Sequence, residues 1–259
     1  MNQSERRAYL IRELLKEDAR YRKLAVPAEA REQEDLLRAL MNVRPPRPVS
    51  GEVLAVQDAY LREASAERGV TRLEDLTPAE GEKDLYLWQG DITTLACDAI
   101  VNAANSGMLG CFRPLHNCID NCIHTRAGMQ LRMKCAELME AQGHEEPTGQ
   151  AKITPAYNLP AKYVIHTVGP IVEGALTEEH RRLLASGYRS CLALAAENGC
   201  GSIAFCCIST GVFGFPQRAA AEIAVGTVRA WKGETGSPMK VIFNVFKDED
   251  LAIYRTILK

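Results

Sequence analysis

The sequence predicts an α/β protein in which a mainly parallel β-sheet lies between helices, preceded by a helical extension. From residue 85 onward, short apolar runs of strand length alternate with helical stretches of roughly 15 to 25 residues. Before about residue 80, Arg, Glu, Leu and Ala dominate, and β-branched runs are nearly absent. We therefore divide the chain into a helical extension over residues 1–82 and a main domain over residues 83–259.

The extension is predicted to contain three helices. Leucines at helical spacing over residues 10–15 indicate the first. The second is predicted to begin at Pro27, a favoured first-turn residue, and to end before Pro45. The third is predicted to begin after Ser50, acting as N-cap, and to end near Gly69. We interpret the extension as a structural brace, because its charges are typical of solvated helix faces.

The main domain supplies the strands and the remaining helices. The predicted strands are the runs LYLW, DAIVNA, YVIHTV, IAFCCI and VIFNVF, and the predicted helices cover 120–142, 178–198, 216–232 and 248–258. Most of these runs are apolar throughout, as is typical of strands covered on both faces. Ligands of such folds bind at the carboxyl ends of strands, which directs attention to the loops after DAIVNA and IAFCCI.

Composition excludes several classes of function. The net charge of −2 gives no electrostatic case for nonspecific nucleic-acid binding. The N-terminus is polar, and no apolar run approaches the length of a membrane span, so we expect a soluble, cytoplasmic protein. Nine cysteines, an odd number, fit a reducing compartment better than a disulfide framework.

The segment QGDITTLACDAIVNAANS places polar residues at two strand ends. Asp91 follows the first strand and either caps the turn or accepts a hydrogen bond from an exocyclic amine. Asn102 and Asn105 lie at the end of a buried strand, where amides must find partners. A sugar diol would satisfy both amides, and so would a backbone turn.

The next segment, LGCFRPLHNCIDNCIHTRAG, contains a candidate metal site. Cys111, His116 and Cys118 lie within eight residues and make a normal zinc donor set. Three protein ligands leave one tetrahedral position open, as in catalytic zinc sites. Cys122 and His124 are rival ligands, although a helix begun by residue 120 would point them in different directions. Buried, inert thiols are the alternative interpretation.

Asp120 lies beside this cluster near a helix start. It is predicted either to act as N-cap or to supply a carboxylate that orients or deprotonates a water molecule. The two roles are compatible.

The loop ISTGVFGFP connects a buried strand to a helix. Gly211 and Gly214 allow the backbone to approach a ligand closely, and N–H groups at a helix start suit a diphosphate. Phe213 and Phe215 are predicted either to pack on a sugar or to fill the core from the loop. Phe246, at the end of the last strand, is a candidate for stacking on a purine.

Together these segments resemble the macrodomain family, in particular its MacroD-type hydrolases. The stretches GDIT, IVNAAN, IDNCIHTRAG, TGQAKITPAYNLPAKYVIHTVGP and ISTGVFGFP occur in family order from about residue 85 to the end. Typical MacroD enzymes have a Gly-rich loop where this chain reads LGCFRPLHNC. That departure resembles the zinc-containing microbial subgroup, which also has a helical N-terminal extension.

The resemblance implies a three-layer α/β/α fold with a mixed central sheet, and it implies roles for the site residues. Asp91 would bind the adenine amine, with Ile92 beside it and Phe246 lining the pocket. Asp120 would be the catalytic aspartate, with Asn105 next to it. The distal ribose would be held by Asn102 and Asn105, and the diphosphate loop would comprise Ser209, Thr210, Gly211, Val212, Phe213 and Gly214, with Phe215 near a ribose.

The implied function is zinc-dependent removal of mono-ADP-ribose from modified proteins, with one zinc ion on Cys111, His116 and Cys118 and cleavage between the distal ribose and the side chain. The alternatives are a non-catalytic ADP-ribose reader and an O-acetyl-ADP-ribose deacetylase. Proteins of the zinc type act beside a sirtuin-like transferase on a lipoyl-carrier protein, a partnership on which this sequence is silent.

Overall fold

The computed structural model describes residues 1–259 and begins with three helices. They are α1 (Gln3–Glu17), α2 (Ala30–Val43) and α3 (Gly51–Glu67). The hydroxyl of Ser50 accepts a hydrogen bond from the Val53 N–H, which confirms the predicted N-cap of α3. The predicted start of α2 at Pro27 is wrong by three residues. The side chain of Gln33 donates to the Pro27 carbonyl at 2.9 Å and leaves Pro27 outside the helix.

The main domain is built on a six-stranded sheet. Its strands are β2 (Leu85–Gln89), β4 (Ala99–Ala104), β5 (Ala151–Pro155), β6 (Tyr163–Val168), β7 (Ser202–Phe205) and β8 (Lys240–Val245), in the order β2-β8-β7-β4-β6-β5. All neighbours are parallel except β5 and β6, which are antiparallel, so the mixed sheet is confirmed. Short strands β1 (Thr71–Arg72) and β3 (Leu95–Ala96) form a separate parallel pair.

One predicted helix is two helices in the structure. The stretch 120–142 divides into α4 (Ile119–Ala127) and α5 (Met129–Gln142) at Gly128, whose φ is 99°. A side chain at this position would be strained, and its Cβ would lie 2.7 Å from Nε2 of Gln57 in the extension. The remaining helices are α6 (Glu178–Glu197), α7 (Gln217–Thr235) and α8 (Asp248–Ile257).

Two hydrophobic cores explain how the extension and the main domain hold together. The central strands and the flanking helices share the larger core, against which Leu73, Leu76 and Ala79 also pack. The helices α1 to α3 enclose a smaller core, and Met129 of α5 belongs to it. The extension therefore packs on the main domain through the region of α4 and α5. No helix in the chain combines the length and the apolar character that crossing a membrane requires.

Candidate functional site

The carboxyl ends of four adjacent parallel strands line one edge of the sheet. In spatial order these ends carry Asp91 after β2, Phe246 after β8, the loop 209–214 after β7, and Asn105 after β4. At about 4.8 Å between neighbouring strands, β2 and β4 are roughly 14 Å apart. The edge therefore suits an elongated ligand lying across the strands, with one end at Asp91 and the other at Asn105.

At the first end, Asp91 both caps a turn and faces solvent. Its Oδ1 accepts hydrogen bonds from the N–H and the hydroxyl of Thr93, at 2.9 and 2.7 Å. Its Oδ2 lies 3.3 Å from the Arg68 guanidinium, at the end of α3. The side chain is 44% exposed, so it keeps room for a further donor. Ile92 is 1% exposed and belongs to the main core, so its side chain does not face a ligand.

Two phenylalanines near the end of β8 differ sharply in exposure. Phe243 is 1% exposed and belongs to the main core, whereas Phe246 is 77% exposed. An exposed aromatic ring beside Asp91 can stack on a planar base. This placement is consistent with the prediction for Phe246.

The loop after β7 presents free backbone donors. The N–H groups of Gly211, Val212 and Phe213 donate no hydrogen bond to any backbone or side-chain group of the chain. Ser209 and Gly214 have φ values of 65° and 68°, which turn the loop sharply before α7. Consecutive unpaired N–H groups ahead of a helix form an anion-binding concavity. The loop can therefore accept a diphosphate.

Not every side chain of this loop is available to a ligand. Phe215 is 2% exposed and lies in the main core, which favours the interpretation that it fills the core from the loop. The Thr210 hydroxyl donates to the Cys207 carbonyl at 3.0 Å. Val212, by contrast, is 80% exposed. The backbone N–H groups of Thr210 and Phe215 are also taken, because they donate to the carbonyls of Cys207 and Ser209.

At the other end, two amides hold a buried carboxylate. Asn102 donates from Nδ2 to Oδ1 of Asp120 at 2.8 Å, and Asn105 donates from Nδ2 to Oδ2 at 3.3 Å. Asn102 has no exposed surface, which favours a role in holding Asp120 over direct contact with a ribose. Asn105 is partly exposed and also donates to the Gly110 carbonyl at 3.1 Å. Both oxygens of Asp120 are thus fixed in direction.

The surroundings of Asp120 determine its charge. Burial raises the pKa of its carboxyl to about 6, opposed by the hydrogen bond from Asn102 and the positive charge of Arg132. Burial lowers the pKa of His124 well below its usual value and that of His166 to about 4, so both imidazoles are neutral at pH 7. At neutral pH the carboxylate is ionised. Its pKa is close enough to the working pH for the carboxylate to accept a proton from a reacting group.

His166 is a core residue whose ring nitrogens both have partners. It is 1% exposed, and its Nδ1 lies 3.1 Å from Nδ2 of Asn102. Its Nε2 lies 3.0 Å from the Thr154 hydroxyl. Because both ring nitrogens have partners, the histidine orients Asn102 and through it Asp120.

The three predicted metal ligands converge at the start of α4, the helix that carries Asp120. The sulfurs of Cys111 and Cys118 and a ring nitrogen of His116 all lie within 4.8 Å of one another. The Cys111 sulfur is 3.6 Å from Nδ1 of His116. All three residues are partly exposed, and two thiols with one imidazole are the donors that zinc prefers. The residues fit a zinc ion with an open fourth position.

Helix α4 separates this group from its rivals. The helix begins at Ile119 with Cys118 as N-cap, whose sulfur accepts the Asn121 N–H at 3.4 Å. The alternative role of Asp120 as N-cap is therefore wrong, because Cys118 takes that position. Cys122 and His124 lie outside the cluster of Cys111, His116 and Cys118. Burial raises the pKa of the Cys118 thiol to about 12, and a bound cation would reverse that effect.

Sequence reasoning missed Asn121, which organises the metal-binding segment. This amide has no exposed surface, and its Nδ2 donates to the carbonyls of Cys111 at 3.2 Å and Arg113 at 3.0 Å. An Asn in the first turn of a helix, three positions after the N-cap Cys118, is the only signal that the sequence offered. Its hydrogen bonds reach back eight and ten residues along the chain, so they depend on how the loop folds.

The site and the sheet topology together identify the class of protein. The chain matches the model of the Macro domain family over residues 101–224. Its relatives match over nearly its whole length, so the chain belongs to the macro domain family.

Similar proteins include protein-ADP-ribose hydrolases and a macrodomain solved in complex with ADP-ribose. The chain is 60% identical over 260 residues to a protein-ADP-ribose hydrolase of Treponema medium, covering 100% of both chains. It is 52% identical to a protein-ADP-ribose hydrolase of Staphylococcus aureus strain MSSA476, covering 95% of this chain and 92% of that protein. A solved Trypanosoma brucei macrodomain in complex with ADP-ribose is similar, with a TM-score of 0.67, 32% identity, and coverage of 85% and 95%.

Proposed function

We propose that this protein is a hydrolase that removes mono-ADP-ribose from modified proteins. In this proposal it cleaves the bond between the distal ribose and the modified side chain, and it uses one zinc ion held by Cys111, His116 and Cys118. The observation that carries the proposal is the position of Asp120. Its buried carboxylate, two residues after Cys118, is held by Asn102 and Asn105, and Asn105 also donates to Gly110, the residue before Cys111.

The binding edge supports the choice of ligand. An exposed carboxylate and aromatic ring at one end suit adenine, the free N–H groups of the loop suit a diphosphate, and Asn105 suits a ribose. The two hydrolase relatives, which match over more than nine-tenths of the chain, support a reaction over binding alone. A non-catalytic reader would need neither a buried carboxylate nor a metal donor set.

Residues of this chain have separate roles in the proposed reaction. Asn102 and Asn105 orient the carboxylate, and Asp120 accepts a proton from the attacking water. Asn105 links the carboxylate to Gly110, the residue before Cys111, so the base and the metal-binding segment keep a fixed distance. A zinc ion, when bound, would supply Lewis acidity and an attachment point for a distal ribose hydroxyl or the scissile oxygen.

The decisive experiment follows free ADP-ribose released from a mono-ADP-ribosylated protein. It compares enzyme as purified, enzyme stripped of metal, and stripped enzyme returned to zinc. We expect release to vanish on stripping and to return with zinc. Full release by the stripped enzyme would refute the role of zinc, and tight ADP-ribose binding without release from several linkage types would make the protein a reader.

Two other possibilities have their own measurements. Deacetylation of O-acetyl-ADP-ribose uses the same pocket and is assayed with that substrate alone. If zinc had only a structural role in the loop, a chelator would lower the melting temperature of the whole protein instead of stopping turnover alone.

We further propose a carboxylate ester as the linkage cleaved and the cytoplasm as the site of action. The lipoyl-carrier protein and sirtuin-like transferase remain predictions from the resemblance.

A further inference from the structure

Helix α2 of the extension contacts the segment that contains the metal ligands. Nη2 of Arg38 donates to the backbone carbonyl of His116 at 2.8 Å. The same nitrogen lies 3.2 Å from Oδ1 of Asn117 and 3.3 Å from Oδ1 of Asn121. A guanidinium can bind several oxygens at once in fixed directions. Arg38 therefore contacts the loop at the His116 carbonyl and at Asn121, the amide that organises the loop.

Asn42, one turn further along α2, makes a second and more deeply buried contact. It is 1% exposed, its Oδ1 accepts the Leu115 N–H at 3.0 Å, and its Nδ2 donates to the Thr125 hydroxyl at 2.9 Å. Leu115 has a φ of 57°, a left-handed conformation that costs a residue other than glycine roughly 1–2 kcal/mol. Asn42 holds this unfavourable turn immediately before His116, and the turn sets the direction in which the imidazole leaves the backbone.

Arg132 of α5 fixes α2 against the loop from the other side. It is 6% exposed, and its Nη1 donates to the carbonyls of Met41 and Asn42 at 3.1 and 2.9 Å. Its Nε donates to the Leu109 carbonyl at 2.8 Å, and its guanidinium lies 4.3 Å from the centre of the Phe112 ring. The end of α2 and the start of the metal-binding segment thus share one buried cation.

We propose that Arg38 and Asn42 are positioning residues for the metal site, so that the extension forms part of that site. This inference rests on the zinc-binding part of the proposed function. Neither residue touches the metal ligands' donor atoms. They act by holding the backbone around His116, so that the imidazole and the two thiols converge before the metal binds. Without these contacts the three donor residues are still present, but the free-energy cost of bringing their donor atoms together is higher.

The test measures zinc affinity in the full-length chain by competition with a chelating dye. Arg38→Met removes the donors and keeps an apolar stem, and Asn42→Ala removes both contacts of the amide. The matched control is Arg31→Ala, because Arg31 lies on the same helix, is exposed and makes no hydrogen bond or ion pair. We expect each test variant to bind zinc about ten-fold or more weakly, the size typical of residues that orient metal ligands. Arg31→Ala should match the wild type.

Melting temperatures of the metal-free proteins separate positioning from general damage. If Asn42→Ala fails to fold, Arg38→Met, whose side chain is partly exposed, provides the test. Equal zinc affinity in wild type, Arg31→Ala and both test variants would overturn this inference and leave the zinc proposal standing. A wild type that binds no zinc would overturn both. A visible spectrum of bound Co²⁺ that changes in Arg38→Met, at an unchanged melting temperature, would support positioning.

Discussion

Gly169 follows β6 and lies against the proposed diphosphate loop. A Cβ at this position would lie 2.0 Å from Oγ of Ser209 and 2.7 Å from Cγ2 of Ile208, well inside ordinary contact at about 3.5 Å. Ile208 is 1% exposed and belongs to the main core, so it cannot relieve the clash by turning to solvent. The substitution Gly169→Ala should therefore displace the loop at a cost of about 1–3 kcal/mol. If that cost falls on ligand binding, ADP-ribose affinity drops about 5- to 150-fold.

Isothermal titration of ADP-ribose measures this effect directly. The matched control is Gly226→Ala, because Gly226 is exposed on α7 and a Cβ there meets nothing within 4 Å. That control should bind ADP-ribose like the wild type and gain about 1 kcal/mol in stability. Adding Ser209→Gly to Gly169→Ala should restore part of the affinity, because glycine adopts the φ of 65° at residue 209 and lacks the clashing hydroxyl. Wild-type affinity in a folded Gly169→Ala protein would refute the assignment of the loop to the diphosphate.

Three further predictions concern the two ends of the site. Asp120→Asn should lower the release of ADP-ribose from a modified protein by about 10²- to 10⁴-fold, because it removes the base. Its ADP-ribose affinity, measured by titration, should change much less; unchanged turnover would exclude Asp120 as the base. Cys118→Ala should abolish turnover and zinc retention while ADP-ribose binding persists, and a fully active, metal-free variant would contradict the zinc role. Asp91→Asn keeps the acceptor that caps Thr93 but removes the charge, so ADP-ribose affinity should fall about ten-fold. The inosine analogue, which lacks the amine, should be affected far less, and equal losses for both ligands would argue against adenine recognition by Asp91.

Most of the sheet could be predicted from the sequence because its central strands are buried on both faces. Residues of β4 and β6 are almost all buried, and their continuous apolar runs mark both strands in the sequence. The edge strand β5 has a mixed burial pattern and ends in Pro155, so no such run marks it. The break at Gly128 was also hidden, because a contact that holds it is distant in sequence: Oε1 of Gln57 accepts the Met129 N–H at 2.8 Å.

The binding edge could be predicted for a similar reason. Asp91, Asn105 and Phe246 each follow a strand that the sequence marks clearly, and parallel strands bring their carboxyl ends together. The partners of these residues could not be predicted in the same way. The bond from Asn102 to Asp120 depends on where α4 begins, and the ion pair of Asp91 with Arg68 depends on where α3 ends.

The charges of the extension show where residue type alone misleads. An Arg-rich amphipathic segment is typical of a solvated helix face, and Arg31 conforms to that expectation. Arg38 and Arg68 do not, because each points across the boundary to an oxygen of the main domain. The carbonyls at the end of α2 have no partner within the helix, and Arg132 supplies one. Hydrogen-bonding groups of the extension therefore pair with groups of the main domain across this boundary. The binding edge of the sheet includes contributions from residues of both parts of the chain.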